Sequence, residues 1–137
     1  MSEWLVKSEP GAWSWQQQVA AGVTNWDGVR NAQASNNLKA MQVGDRAFFY
    51  HSGEERRIVG VVEVVRPYYL DERDPSGRYG MVDVRTLAAL PHPITLAAIK
   101  QDPRLQHLAL VRQSRLSVMP IDAEAWAVIA AMGGLAD

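Results

Sequence analysis

The first apolar stretch, Trp4 to Val6, is short and runs into Lys7, Ser8, Glu9 and Pro10, where the proline biases Glu9 away from helical geometry. This predicts a first strand with a polar end. Ser14 followed three residues later by Gln17 is a capping-box pattern, Trp15 and Val19 stand one helical turn apart, and Gly22 supplies the stop. A short helix is expected there. Ala34, Leu38 and Met41 then recur at helical spacing behind Asn31 as cap, predicting a second helix that ends near Gly44. Its apolar stripe is narrow, and it contains Asn36 and Asn37, adjacent residues that compete for backbone hydrogen bonds and weaken a helix. Such local conflict is expected where a residue serves function.

From Ala47 the period shortens. Ala47 to Ser52, a polar turn at Gly53 to Glu55, and the β-branched run Ile58 to Val65 predict a hairpin, with Gly60 marking a bulge or sharp curvature. Pro67 to Gly80 reads as a surface loop, with Asp71 to Asp74 as its solvated acidic part. Val82 and Val84 alternate with Asp83 and Arg85, the signature of a strand with one buried face. Thr95 caps a short helix through Ile99, Ser114 to Val118 reads as a last strand with Leu116 and Val118 inward, and Asp122 opens a closing helix. Trp126, Ile129 and Ala130 share a face of that helix, which stops at Gly133 and Gly134. Strands and helices mix without regular alternation and without repeats or linkers. The expected architecture is a single α+β domain over residues 1–137, a small mixed or antiparallel β-barrel flanked by short helices.

Composition narrows the chemistry. With 137 residues, 47% hydrophobic and 21% charged, the chain is long enough for one core without covalent staples. It has no cysteine, which excludes a disulfide framework, a thiolate zinc site and a cysteine nucleophile. His51, His92 and His107 are too dispersed for a zinc motif, so neither metal nor cofactor is expected. The first residues carry charge and no run approaches the roughly 20 apolar residues of a membrane span, so a cytoplasmic protein without a membrane partner is expected. The net charge of -1 excludes a polybasic protein that coats phosphates, and any contact with nucleic acid has to be local. No feature specifies a protein partner or an oligomeric state.

The segment Asn25 to Lys39 is the most informative. It sets Trp26 in a polar, glycine-containing loop before a helix, beside Arg30, Asn31 and Gln33. A flat π surface next to donors and acceptors suits the stacking and reading of a base. A plainer role stays open, in which Trp26 plugs the barrel and Arg30 pairs with an acid. Lys7 and Ser8 end the first strand, while Tyr50, His51 and Ser52 end the next; as neighbours they would offer hydrogen bonds to a base edge. Otherwise His51 merely caps the hairpin. Trp13 is the second candidate wall, and Trp4, Trp15 and Trp126 are assigned to the core. Arg56, Arg57, Arg112 and Arg115 are candidates for a phosphate-binding rim, unless they belong to a solvated face. Ser8 with His51 and Glu9 imitates a hydrolase set, but there is no G-x-S-x-G elbow, and no enzyme is expected.

The strings WLVKSEP and SW, then WDGVRN, NNLK and M-x-VGD, then FFYHS and IVG, then MVDV, LALVR and RLSVMP occur in this order over nearly the whole chain. In this the sequence resembles the EVE domain family. The resemblance implies a PUA-like fold related to the YTH readers of methylated adenine, and recognition of a flipped-out modified base of DNA or RNA. It places Ser8, Trp26, Asn31 and the Tyr50, His51, Ser52 stretch on the pocket motifs, with Arg30, Gln33 and Asn36 in the same block. Ser35 stands where the family commonly has arginine, and the loop from Tyr68 to Tyr79 is shorter than in many members. The alternative is a PUA-type RNA-binding module acting on tRNA or rRNA without preference for modification.

Overall fold

In a computed structural model, which describes residues 1–135, the β-branched and aromatic runs assemble into one six-stranded sheet. Its strands are β1 (Glu3–Ser8), β2 (Val23–Trp26), β3 (Arg46–His51), β4 (Arg57–Leu70), β5 (Gly80–Thr95) and β6 (Val118–Ile121). Their spatial order is β2-β5-β4-β3-β1-β6, antiparallel throughout except for β1 beside β3. β2 and β6 remain at opposite edges, so the expected barrel is a loose, unclosed one. Trp4, Leu5 and Val6 are buried in succession because both faces of β1 are covered. Leu5, Phe48, Phe49 and Met119 are wholly buried, each contributing about 1.5–3 kcal/mol of transfer free energy.

The helices are α1 (Trp15–Ala21), α2 (Ala32–Ala40), α3 (Leu96–Gln101), α4 (Ala109–Arg112) and α5 (Ala123–Met132), with a 3-10 turn at Pro103–Leu105. Four begin as the cap residues predict: Ser14 forms the full capping box with Gln17, and Asn31, Thr95 and Asp122 accept from the amides of Ala34, Ala98 and Ala125. α5 is clamped to the sheet by Trp126, whose indole stacks on Phe48 at 3.8 Å and 18°. Among the described residues no helix is long and apolar enough to cross a membrane.

Gly60 explains the seating of α1. The β3–β4 ladder shifts register between Phe49 and Tyr50, and the β4–β5 ladder between Ile58 and Gly60. A Cβ at Gly60 would overlap the ring of Trp15, so the indole lies directly on the strand backbone. The residue of α1 that is fully buried is Gln18, whereas Val19 is 51% exposed. Gln18 tolerates burial because its amide nitrogen donates to the Gly22 carbonyl and Thr86 Oγ1, while its oxygen accepts from Trp13 Nε1.

The structure departs from the sequence reading in several places. Val23–Trp26, expected as loop, is a strand because it pairs residue by residue with Val82–Arg85 of β5. The last strand is Val118–Ile121, beginning at the residue where the expected Ser114–Val118 strand ends; Ser114–Ser117 turns, and Leu116 reaches the core from that turn. Pro67 lies within β4 where the ladder to β5 slips between Arg66 and Tyr69, so its missing amide leaves no gap. Asp71, expected on the surface, is 5% exposed and holds the backbone and side chain of Arg73.

Candidate nucleic-acid interface

Trp26 closes β2 opposite Val82, and this pairing fixes the backbone from which the next turn departs. The indole is 6% exposed and meets Phe49 edge-on at 5.3 Å and 84°. It belongs to the core and also lines a cleft of about 550 Å³. The indole is thus a core residue with one edge on the cleft. Trp13, half-buried before the α1 cap, lines the same cleft and is held by Gln18.

β1 delivers Lys7 and Ser8 to this cleft from the other side. The Ser8 hydroxyl donates to the Trp13 carbonyl at 2.6 Å, so toward a ligand it offers lone pairs. Lys7 Nζ donates to the Ser114 carbonyl at 3.0 Å and lies 5.6 Å from the Tyr50 ring centre. Burial lowers the Lys7 pKa. Arg30 reaches the cleft from the turn after β2; its guanidinium donates to the Val29 carbonyl and lies 5.2 Å from the Tyr79 ring centre rather than on an acid.

Lys7, Ser8, Trp13, Trp26 and Arg30 are thus brought together. Asn31 and Gln33 face an adjoining cleft of about 300 Å³ with Arg112 and Arg115, behind the Lys7–Ser114 link. Asn36 is exposed on α2, and its neighbour Asn37 donates to the Val118 carbonyl at 2.7 Å, which ties α2 to the edge strand β6. That tie accounts for Asn37.

Tyr50, His51 and Ser52 do not line the cleft. Tyr50 is 2% exposed, and burial raises its phenol pKa. His51 is 7% exposed, accepts from the Trp15 amide at Nε2 and meets Glu55 at Nδ1. Its hydrogen bond, followed by that from Arg57, holds the Glu55 carboxyl below the usual range. Ser8 and His51 are register partners on parallel strands, yet each uses its polar atoms elsewhere, and the hydrolase-like set does not form. Arg57 pairs with Glu55, and Arg56 borders a separate shallow groove near α3.

The sequence reading missed Thr24, Asn25, Asp27 and Ser117, which also line the cleft. Asn25 and Asp27 fall within the segment singled out from the sequence without being among its candidate site residues, while Thr24 and Ser117 lie in the unrecognised β2 and beside the misplaced last strand. Asp27 Oδ2 accepts from Arg73 at 2.7 Å, and Arg73 is in turn held by Asp71, whose pKa this hydrogen bond lowers. A link across 46 residues has no local sequence signal. Among the described residues no group of three or more His, Cys, Asp or Glu side chains gathers to hold a metal.

An open α+β sheet flanked by short helices, with an aromatic and polar cleft at the ends of β1 and β2, defines a PUA-like domain. The EVE domain family matches residues 2–132, and the chain belongs to that family. A curated relative, human thymocyte nuclear protein 1, is 33% identical over an alignment covering 90% of this chain and 70% of the human protein. A Rhodopseudomonas palustris protein solved by NMR superposes with a TM-score of 0.94 at 50% identity, covering 100% of this chain and 96% of its own. The crystal structure of human THYN1 protein in complex with DNA containing 5-methylcytosine superposes at 0.91 and 32% identity, with both chains covered in full. A Zygosaccharomyces rouxii YTH domain, solved with N6-methyladenosine RNA, shares the fold at a TM-score of 0.60 and 17% identity, covering 96% of this chain and 86% of its own.

Proposed function

We propose that this chain is a non-catalytic reader whose cleft takes up one modified base extruded from DNA or RNA. The observation that carries the reading is that two indoles, Trp13 and Trp26, share one cleft with Lys7, Ser8 and Arg30. Stacking a base on an aromatic ring contributes about 1–3 kcal/mol, and extruding it costs a few kcal/mol. Two or three hydrogen bonds to the base edge are then needed for net affinity. The complex of human THYN1 protein with 5-methylcytosine DNA, at 32% identity over the whole chain, supports modified DNA as the ligand class. In this reading the flanking phosphates meet Arg112 and Arg115 beside Asn31 and Gln33, with Arg56 and Arg57 farther out. Tyr50 and His51 act from behind, by holding Lys7 and α1.

The test is a set of labelled oligonucleotides that differ in a single modified base, titrated against the protein and two variants. Trp26→Ala is unsuitable, because removing so buried an indole costs about 3–5 kcal/mol of stability. Trp26→Phe keeps a ring against Phe49, and Trp13→Ala removes a half-buried one. Each is expected to weaken binding of the preferred oligonucleotide about tenfold with the melting transition retained. Unchanged affinity in both variants rules the reader out. Equal affinity for modified and unmodified RNA, lost on replacing Arg112 and Arg115, would instead favour the RNA-binding module.

A further inference from the structure

We infer that Asp27 decides which bases the cleft accepts, and that it selects those carrying an exocyclic amino group. The inference rests on the reader function proposed above and names the class of base. Asp27 directly follows Trp26 and lines the same cleft, with its side chain 43% exposed. One of its oxygens is engaged. Oδ2 accepts from Arg73 at 2.7 Å, and Arg73 is fixed by Asp71, which takes both its Nε and its backbone amide at 2.9 Å. Among the described residues nothing hydrogen-bonds to the second oxygen, Oδ1, which leaves an acceptor on a residue of the cleft wall next in sequence to Trp26. Ser8 adds a second acceptor, since its proton goes to the Trp13 carbonyl. The cationic donors of the wall are drawn aside, Lys7 to Ser114 and Arg30 to Val29 and Tyr79.

An ionised carboxylate accepts hydrogen bonds and cannot donate one. The N4 amino group of cytosine and the N6 amino group of adenine donate to it, the former being a recognised carboxylate partner. Thymine and uracil place a carbonyl at the corresponding edge, so two acceptors would face each other. A site that offers an acceptor to a base amino group discriminates against the analogue that cannot donate there.

The decisive comparison uses two oligonucleotides, identical except that one carries 5-methylcytosine where the other carries thymine. The two bases share the methyl group and differ at the amino or carbonyl edge. The wild-type protein is expected to prefer 5-methylcytosine by about tenfold. Asp27→Asn, whose amide can donate, is expected to bring the ratio near one or invert it with the melting transition unchanged. Arg73→Gln, which releases the carboxylate without removing it, is expected to reduce the ratio only in part. If binding depends on Trp13 but Asp27→Asn leaves the ratio where it was, or the wild type shows no preference, the assignment of Asp27 is overturned alone. If Trp13→Ala has no effect on either oligonucleotide, the reader function falls and this inference with it.

Discussion

At the scale of single residues, the side chains nearest the cleft are held by partners that also restrict what they offer. Trp13 donates its indole proton to Gln18, Ser8 donates to the Trp13 carbonyl, and Trp26 is braced edge-on by Phe49. A site fixed in this way binds with little loss of side-chain freedom. The loop carrying Arg73 is organised by Asp74, which accepts from the Tyr79 amide and from the hydroxyl of Ser76, and these bonds lower its pKa from 3.8 to about 2. A depressed carboxylate stabilises the folded loop fully above its unfolded value, and that stabilisation is lost as pH falls through the folded one. The turn at Asp74 is therefore expected to hold at neutral and mildly acidic pH and to loosen between pH 3.8 and about 2. Amide resonances of Ser76 and Tyr79 followed through an acid titration report this directly; a midpoint at 3.8 would show that the bonds do not form in solution.

At the scale of elements, the cleft depends on how α1 is seated. Its N-terminus is closed by the Ser14 and Gln17 box, its first residue lies on Gly60, and its first amide is held by His51. Ser14→Ala is expected to lower stability by about 1 kcal/mol, the ordinary value of a cap. Gly60→Ala forces a methyl group into the Trp15 ring, an overpacking that costs about 1–3 kcal/mol. It should also tilt the helix and carry Trp13 away from the cleft, so ligand affinity falls along with stability. Denaturant midpoints and titrations on the same samples check both. A Gly60→Ala protein as stable as the wild type would contradict the close approach of indole and strand.

At the scale of the whole molecule, the net charge of -1 and the few cations near the cleft set how binding responds to salt. If Lys7, Arg30, Arg112 and Arg115 meet two to four phosphates, the logarithm of affinity should fall against the logarithm of salt with a slope of about -2 to -4. A slope approaching about -10, as for extended phosphate grips, would disagree with a single-base cleft. The caps Ser14, Asn31, Thr95 and Asp122 were legible in the sequence, as were the buried alternation of Val82 and Val84 and the bulge at Gly60, because each depends on neighbours within a few residues. The strand at Val23–Trp26 was not: four residues carry too little pattern, and only Val82–Arg85 makes them a strand. The same holds for the site. Sequence singled out Trp26, Ser8 and Arg30, since aromatic and polar residues together at element ends are locally conspicuous. The folded chain alone turned His51 inward to α1, tied Asn37 to β6, and carried Arg73 across to Asp27, because contacts between distant segments follow from how the sheet packs and leave no local periodicity to read.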